Sequence, residues 1–140
     1  MSARWAALAL FGCANLGCSS EDAVPATFGG FQQLGVTDAA LMSVHGTSER
    51  DVWSVGADDG AGPLVLHYDG RAWERRAPGA SGDLWWVHAT PEGPVFLSGS
   101  PSLALRYQDG AFERLPGPGT EEHTLFGVWA AAPDDVYFAG

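Results

Sequence analysis

The sequence predicts an all-β fold built from a repeated four-stranded unit, and three observations carry that prediction. First, one phrase occurs three times. Leu41-x-x-Val44 leads to Asp51-Val52-Trp53-Ser54-Val55-Gly56, Leu84-x-x-Val87 to Pro94-Val95-Phe96-Leu97-Ser98-Gly99, and Leu125-x-x-Val128 to Asp135-Val136-Tyr137-Phe138-Ala139-Gly140. The valine precedes the aromatic (Trp53, Phe96, Tyr137) by nine residues, and a glycine (Gly56, Gly99, Gly140) follows it by three. Second, the period is 43 and then 41 residues, the length of one four-stranded β-propeller blade. Third, 19 glycines and 9 prolines in 140 residues suit many short strands joined by tight turns.

Each unit reads strand by strand. In the first, residues 40–82, Leu41 to His45 is an apolar strand and Gly46 to Arg50 a polar turn. Val52 to Val55 is the second strand, Asp58 to Pro63 a loop, Leu64 to Tyr68 the third strand and Ala72 to Arg75 the fourth. The second unit, residues 83–122, repeats the plan with Leu84 to His88, Val95 to Leu97, Leu103 to Tyr107 and Ala111 to Leu115. Asp69-Gly70 and Asp109-Gly110 stand between strands three and four, where a hairpin needs positive φ. The pair slides by one position between units, which predicts a tight turn in the first and a longer or bulged loop in the second.

Strands one to three are nearly continuous apolar runs, as in strands covered on both faces. The fourth carries charge (Glu74, Arg75, Glu113, Arg114), as an outer edge should. Gly56, Gly99 and Gly140 mark either a positive-φ turn or a close backbone approach. Gly29-Gly30-Phe31-Gln32-Gln33-Leu34 resembles the turn and fourth strand of the second unit, so residues 28–39 are expected to hold an isolated fourth strand. Residues 123–140 supply half a unit. With about two and a half blades against the four to eight of typical rings, the chain reads as an incomplete β-propeller.

The first 18 residues differ in kind. Arg4 gives a short positive region, Trp5 to Phe11 an apolar one, and no acidic residue occurs before Glu21. The apolar run is too short to span a bilayer, which takes about 20 residues. It looks like a secretion signal ending at a cysteine, and so resembles a bacterial lipoprotein leader. Cys18 leaves a leader of ordinary length followed by the polar Ser19-Ser20-Glu21-Asp22, and is the favoured lipid site. Cys13, in Leu10-Phe11-Gly12-Cys13, has the better local residues but a short leader, and stays open as the alternative. Residues 19–27 then form a tether. This implies a membrane partner through the lipid, at the bacterial outer membrane or cell surface, with a secreted or periplasmic product as the alternative.

A net charge of −10, with no lysine, argues against nucleic acid, because counterion release needs a basic face. Arg71, Arg75 and Arg76 form a single cluster on a charged outer strand. The body after Cys18 has no cysteine, so it holds no disulfide framework.

The run D-V-W-S-V-G (residues 51–56) with L-H-Y-D-G-R-A-W (residues 66–73) resembles propeller repeats of secreted, myxobacteria-like bacterial proteins. It is more loosely similar to the two-component-regulator propeller repeat. The likeness covers residues 28–140 and implies a scaffold that presents loops to a protein or glycan. An enzyme fragment (glycan hydrolase or lyase) and a sensor domain are the alternatives, so whether the protein is an enzyme stays open, with the balance against.

Tested residue by residue, the sequence offers no catalytic group, metal site or cofactor motif. His45 and His88 share one repeat position, held by Trp129 in the third copy, and read as strand residues with backbone partners. His67 aligns with Arg106, which predicts an exposed polar column. Asp58-Asp59-Gly60-Ala61-Gly62 lacks the alternating carboxylates of a calcium loop and reads as a solvated turn. No Gly-x-Ser-x-Gly occurs. The candidate ligand contact is Trp86, whose column otherwise holds Ser43 and Gly127, whereas Trp85 aligns with the apolar Met42 and Phe126; local core filling is the competing and favoured reading of Trp86. If Cys18 carries the lipid, Cys18→Ser abolishes incorporation of labelled palmitate and releases the protein from the membrane fraction; lipid retained in that variant and lost in Cys13→Ser assigns Cys13.

Overall fold

The computed structural model describes residues 27–28, 31–32, 35–91, 93–117 and 123–140. The leader, with Cys13 and Cys18, and the tether up to residue 26 lie outside the described residues. The chain divides into two units, Met1–Gly35 and Val36–Gly140. In the first, β1 (Thr27–Phe28) pairs antiparallel with β2 (Phe31–Gln32), Thr27 opposite Gln32 and Phe28 opposite Phe31. The strand expected to stand alone there is thus half of a hairpin, and no further strand follows over residues 35–40.

The second unit is all-β and wholly antiparallel. The first sheet runs in the order β3 (Leu41–Ser48), β4 (Asp51–Asp58), β5 (Pro63–Tyr68), β6 (Trp73–Arg75). The second runs β7 (Asp83–Ala89), β8 (Val95–Ser100), β9 (Leu103–Gln108), β10 (Ala111–Arg114). The third pairs β11 (Gly127–Ala132) with β12 (Asp135–Ala139). Chain neighbours are sheet neighbours throughout, as short loops dictate. Among the described residues no helix is long and apolar enough to cross a membrane.

Consecutive sheets pack face to face. Trp53, Val55 and Val65 of the first sheet meet Leu84, Val87, Ala89, Val95 and Leu97 of the second in one buried cluster. Phe96 on the opposite face of β8 meets Val128 and Ala130 of β11, with Leu115, Val136 and Phe138 packed around them. Each buried side chain of this size contributes roughly 1.5–3 kcal/mol. The second sheet is therefore covered on both sides, and β8 is buried over five of its six residues. That is why it reads as an apolar run rather than an alternation. β3 instead alternates between exposed and half-buried positions over most of its length.

The repeat glycines mark a close approach between the second strand and the start of the first. A Cβ on Gly56 would lie 2.0 Å from the Ala40 carbonyl oxygen, on Gly99 2.0 Å from that of Asp83, and on Gly140 2.0 Å from that of Thr124. The Cα of the following leucine (Leu41, Leu84 or Leu125) stands 2.9–3.0 Å away in each case. None of the three has positive φ, so the turn alternative drops out. Backbone atoms cannot yield as a side chain can, and only hydrogen fits.

The two Asp-Gly turns are the reverse of what their spacing predicts. Gln108 pairs with Ala111 across Asp109 (φ 52°) and Gly110 (φ 83°), a two-residue turn with two positive φ angles. Tyr68 instead pairs with Trp73 across a four-residue loop. There the Asp69 carboxylate accepts the N–H groups of Arg71 (2.8 Å) and Ala72 (3.0 Å). The longer loop of the first unit is closed by the Asp69 side chain together with a 3.4 Å backbone bond from the Asp69 N–H to the Ala72 carbonyl. Strands one and two also extend beyond their apolar cores: Ser48 pairs with Asp51, so the turn is only Glu49-Arg50.

Gly99→Ala is expected to lower unfolding stability by about 3 kcal/mol or more, at the upper end of overpacking costs. Gly127→Ala, in a strand with nothing within 4 Å of the added carbon, should be neutral or stabilising by up to ~1 kcal/mol. Urea denaturation of the two variants compares them directly.

Candidate aromatic binding surface

The first strands of the three sheets, β3, β7 and β11, bring equivalent residues side by side. His45 and His88 stack with ring centroids 4.8 Å apart and planes at 20°. His88 in turn meets Trp129 edge-on at 6.4 Å, and Trp129 lies 5.9 Å from Tyr137, its cross-strand partner. The shared repeat position of His45, His88 and Trp129 is thus a continuous row of rings.

Hydrogen bonds explain why polar residues occupy this row. β7 pairs with β8 along one edge only, so alternate N–H groups on its other edge need partners from elsewhere. The Val87 N–H donates to Ser43 Oγ (3.4 Å) and the Ala89 N–H to His45 Nδ1 (3.0 Å). Because Nδ1 accepts, the neutral His45 ring carries its proton on Nε2. The Ser43 carbonyl in turn accepts from Ser54 Oγ (3.1 Å). His88 is held below its ordinary pKa, by burial first and by the nearby His45 second, against a backbone bond at Ala130 that works the other way.

Trp86 departs from this pattern. It sits in the Ser43 column, where an indole has no acceptor for a neighbouring edge N–H. It is 49% exposed. A register shift between Leu84 and Trp86 inserts Trp85 as an extra residue, and such a bulge re-aims the side chains beside it. Trp85 is half-buried, bonds Ser100 Oγ through its indole N–H (3.3 Å) and meets Phe126 edge-on at 5.9 Å. Phe126 is itself 59% exposed. Trp85 and Phe126 thus form a packed aromatic pair beside the open Trp86.

The remaining polar candidates serve the fold. His67 is not an exposed column residue: its Nε2 lies 2.9 Å from Asp51 Oδ1 and its ring stacks on Trp53 at 4.1 Å. Asp51 also accepts from Trp53 Nε1 (2.9 Å) and Thr47 Oγ1 (2.5 Å). Partial burial works to raise the Asp51 carboxyl, yet these three bonds outweigh it and hold the group below its ordinary value. The hydroxyl of Thr47 addresses the carboxylate rather than the imidazole, so the cluster makes no nucleophile–base relay.

The loop carboxylates are likewise committed. Asp58 accepts the N–H groups of Gly60 (2.7 Å), Gly62 (3.1 Å) and Gly82 (3.1 Å), while its own N–H donates to Asp83. That clasp joins the β4–β5 loop to the entry of β7, which pulls the Asp58 carboxyl below its ordinary value. Arg75 holds Asp59 through two bonds, and the Asp59 carboxyl falls to about 2. Arg76 pairs with Glu74 at 2.8 Å. The arginine cluster is therefore partly neutralised, including where it borders a shallow cleft of about 470 Å³ beside Tyr107 and Phe112. Among the described residues no group of three or more His, Cys, Asp or Glu side chains converges as a metal site would.

Sequence reasoning singled out Trp86 but missed Ser43 and the inter-sheet role of Asp58. Ser43 was visible only as a small polar residue in an otherwise apolar strand; nothing signalled that its acceptor would meet a strand of the next sheet. Compared with family models, curated proteins and solved structures, the chain matches none.

The depressed pKa values set two acid-sensitive windows. The neutral His88 ring is favoured by the fold, so its stabilisation is whole above about pH 6.5, its ordinary value. It is lost as pH falls through the lower folded value. The contribution of Asp59 is whole above its ordinary 3.8 and is lost towards about 2; those of Asp51 and Asp58 decline in the same direction. Thermal unfolding midpoints measured against pH should show both declines, and His88→Phe should abolish the upper one alone.

Proposed function

We propose that the chain is a non-catalytic binding scaffold outside the cytoplasm, built on β-propeller repeats, that presents an aromatic surface to a neutral glycan. The observation that carries this reading is the exposed Trp86, set where the other two repeats carry Ser43 and Gly127. A strand residue with a core role would have an apolar counterpart in its column; Trp86 has none. Its indole gives a flat apolar face on which the C–H groups of a sugar ring stack. Its chain neighbour Trp85 is itself fixed by Ser100 and Phe126. A net charge of −10 disfavours polyanionic ligands.

The propeller reading draws support from the 43- and 41-residue period together with sequential four-stranded antiparallel sheets stacked face to face. In that architecture the first strands line the inner rim, and the Trp86 column stands on it. Placement at a bacterial membrane surface rests on the leader, with a lipid on Cys18, or on Cys13, and the polar Ser19-Ser20-Glu21-Asp22 as tether.

On an array of neutral oligosaccharides the protein should retain a subset. Trp86→Ala should weaken the best of these at least tenfold, about 1.4 kcal/mol, while Trp86→Tyr stays within about threefold because stacking needs a ring rather than the indole N–H. Glycan binding unchanged by Trp86→Ala, or binding to peptides alone, would overturn the reading.

A further inference from the structure

Arg76 stands where the repeat elsewhere places a packing residue. Its N–H donates to the Val65 carbonyl (2.8 Å), and the Leu115 N–H makes the corresponding bond to the Ala104 carbonyl (2.8 Å) in the second sheet. The two residues thus hold equivalent positions just beyond the fourth strands. Leu115 packs against Phe96, Val128 and Ala130, and so fills the junction between the second and third sheets. Arg76 instead lines the cleft of about 470 Å³ between the first and second sheets, with Pro78, Tyr107 and Phe112 around it. Its Nε is buried with no acceptor, a cost that leucine would not carry. A departure from the local rule that costs stability is expected where a residue serves binding.

We propose that this cleft binds a monocarboxylate carried on a flat apolar body. Arg75 is committed to Asp59 and Gly62 through three bonds. Arg76 gives a nitrogen to Glu74 alone, at 2.8 Å, and both of those side chains are partly exposed. Exposed pairs of this kind contribute little, and the guanidinium has further donors in a planar fork that matches two carboxylate oxygens. Tyr107 meets Trp53 and Phe112 at 4.8 Å each, which holds in place the rings that receive the ligand's body. None of the residues lining the cleft is acidic, in a chain of net charge −10. That charge repels a dianion more than a monoanion, which selects carboxylate over phosphate. The volume lies within the range of small-molecule sites, about 300–1,000 Å³. The cleft shares no residue with the Trp86 surface, so the proposal does not rest on the glycan reading.

An amide NMR titration of the full chain with benzoate tests it. Benzyl alcohol serves as the body without the charge, acetate as the charge without the body, and inorganic phosphate as the dianion. Benzoate should shift the Gly79 and Gly110 N–H signals saturably with a Kd of ~1 mM or tighter, and each control should bind roughly tenfold more weakly or worse. Arg76→Leu restores the repeat's packing residue. It should unfold at the parent's temperature or above, yet weaken benzoate by roughly tenfold or more. Ala111→Glu, at an exposed lining position, sets a carboxylate in the cleft and should weaken benzoate equally, with an unchanged circular dichroism spectrum. Glu74→Gln frees Arg76 and should hold or tighten binding. Benzoate that fails to saturate, or a control that matches it, overturns the proposal. So do retained binding in Arg76→Leu or Ala111→Glu, weaker binding in Glu74→Gln, and an Arg76→Leu protein that unfolds below the parent. Trp86→Ala should bind benzoate as the parent does; loss there would move the ligand to the other surface and overturn the assignment to this cleft.

Discussion

A β-sheet with apolar side chains on both faces is stable only between two neighbours, and that constraint governs the rest of this structure. The second sheet meets it fully: Val87 and Leu97 face one neighbour and Phe96 the other. Close approach is needed both between the sheets and between the paired strands within each sheet. Gly56, Gly99 and Gly140 let the end of the second strand lie against the backbone ahead of the first. Where the apolar contact stops, the Asp58 clasp with Gly82 and Asp83 fixes the path by which the chain leaves one sheet and enters the next.

The same closeness decides which polar groups the first strands carry. An unpaired N–H beside a packed sheet costs on the order of 1–3 kcal/mol if nothing accepts it, and Ser43 and His45 answer that need for β7. A histidine row here is therefore an edge-capping device, and its nitrogen chemistry is already committed at the Nδ1 of His45. Trp86 breaks the pattern in the second sheet. Its exposed ring leaves the surface beside Trp85 and Phe126 open for recognition, which is the basis of the proposed glycan surface.

Much of the fold was legible because the repeat places like residues in like environments. Val44, Val87 and Val128 locate the first strands, and Trp53, Phe96 and Tyr137 the second, whatever the loops between them do. The loops were less legible. Asp69-Gly70 and Asp109-Gly110 look alike in sequence, yet one closes through a carboxylate and the other through paired positive-φ residues. His67 misled for a related reason. Its alignment with the salt-bridged Arg106 suggested exposure, but only the meeting of β4 and β5 with the preceding turn reveals the Asp51 carboxylate and the Trp53 ring beside it.

By itself, the sequence determined the class of structure: strand number and order over residues 41–140, the glycine positions, and the single column in which a tryptophan stands without an apolar counterpart. Those follow from local periodicity, which needs no knowledge of partners. Tertiary structure alone decided the rest, because it depends on which groups from distant segments meet. It set Ser43 and His45 against the β7 edge, gave Asp58 three N–H donors, and left Trp86 open. It also decided that chemically similar repeat residues differ in burial. Leu84 and Val87 lie within the stack, while Leu41, Val44 and Tyr137 face outward at its two ends.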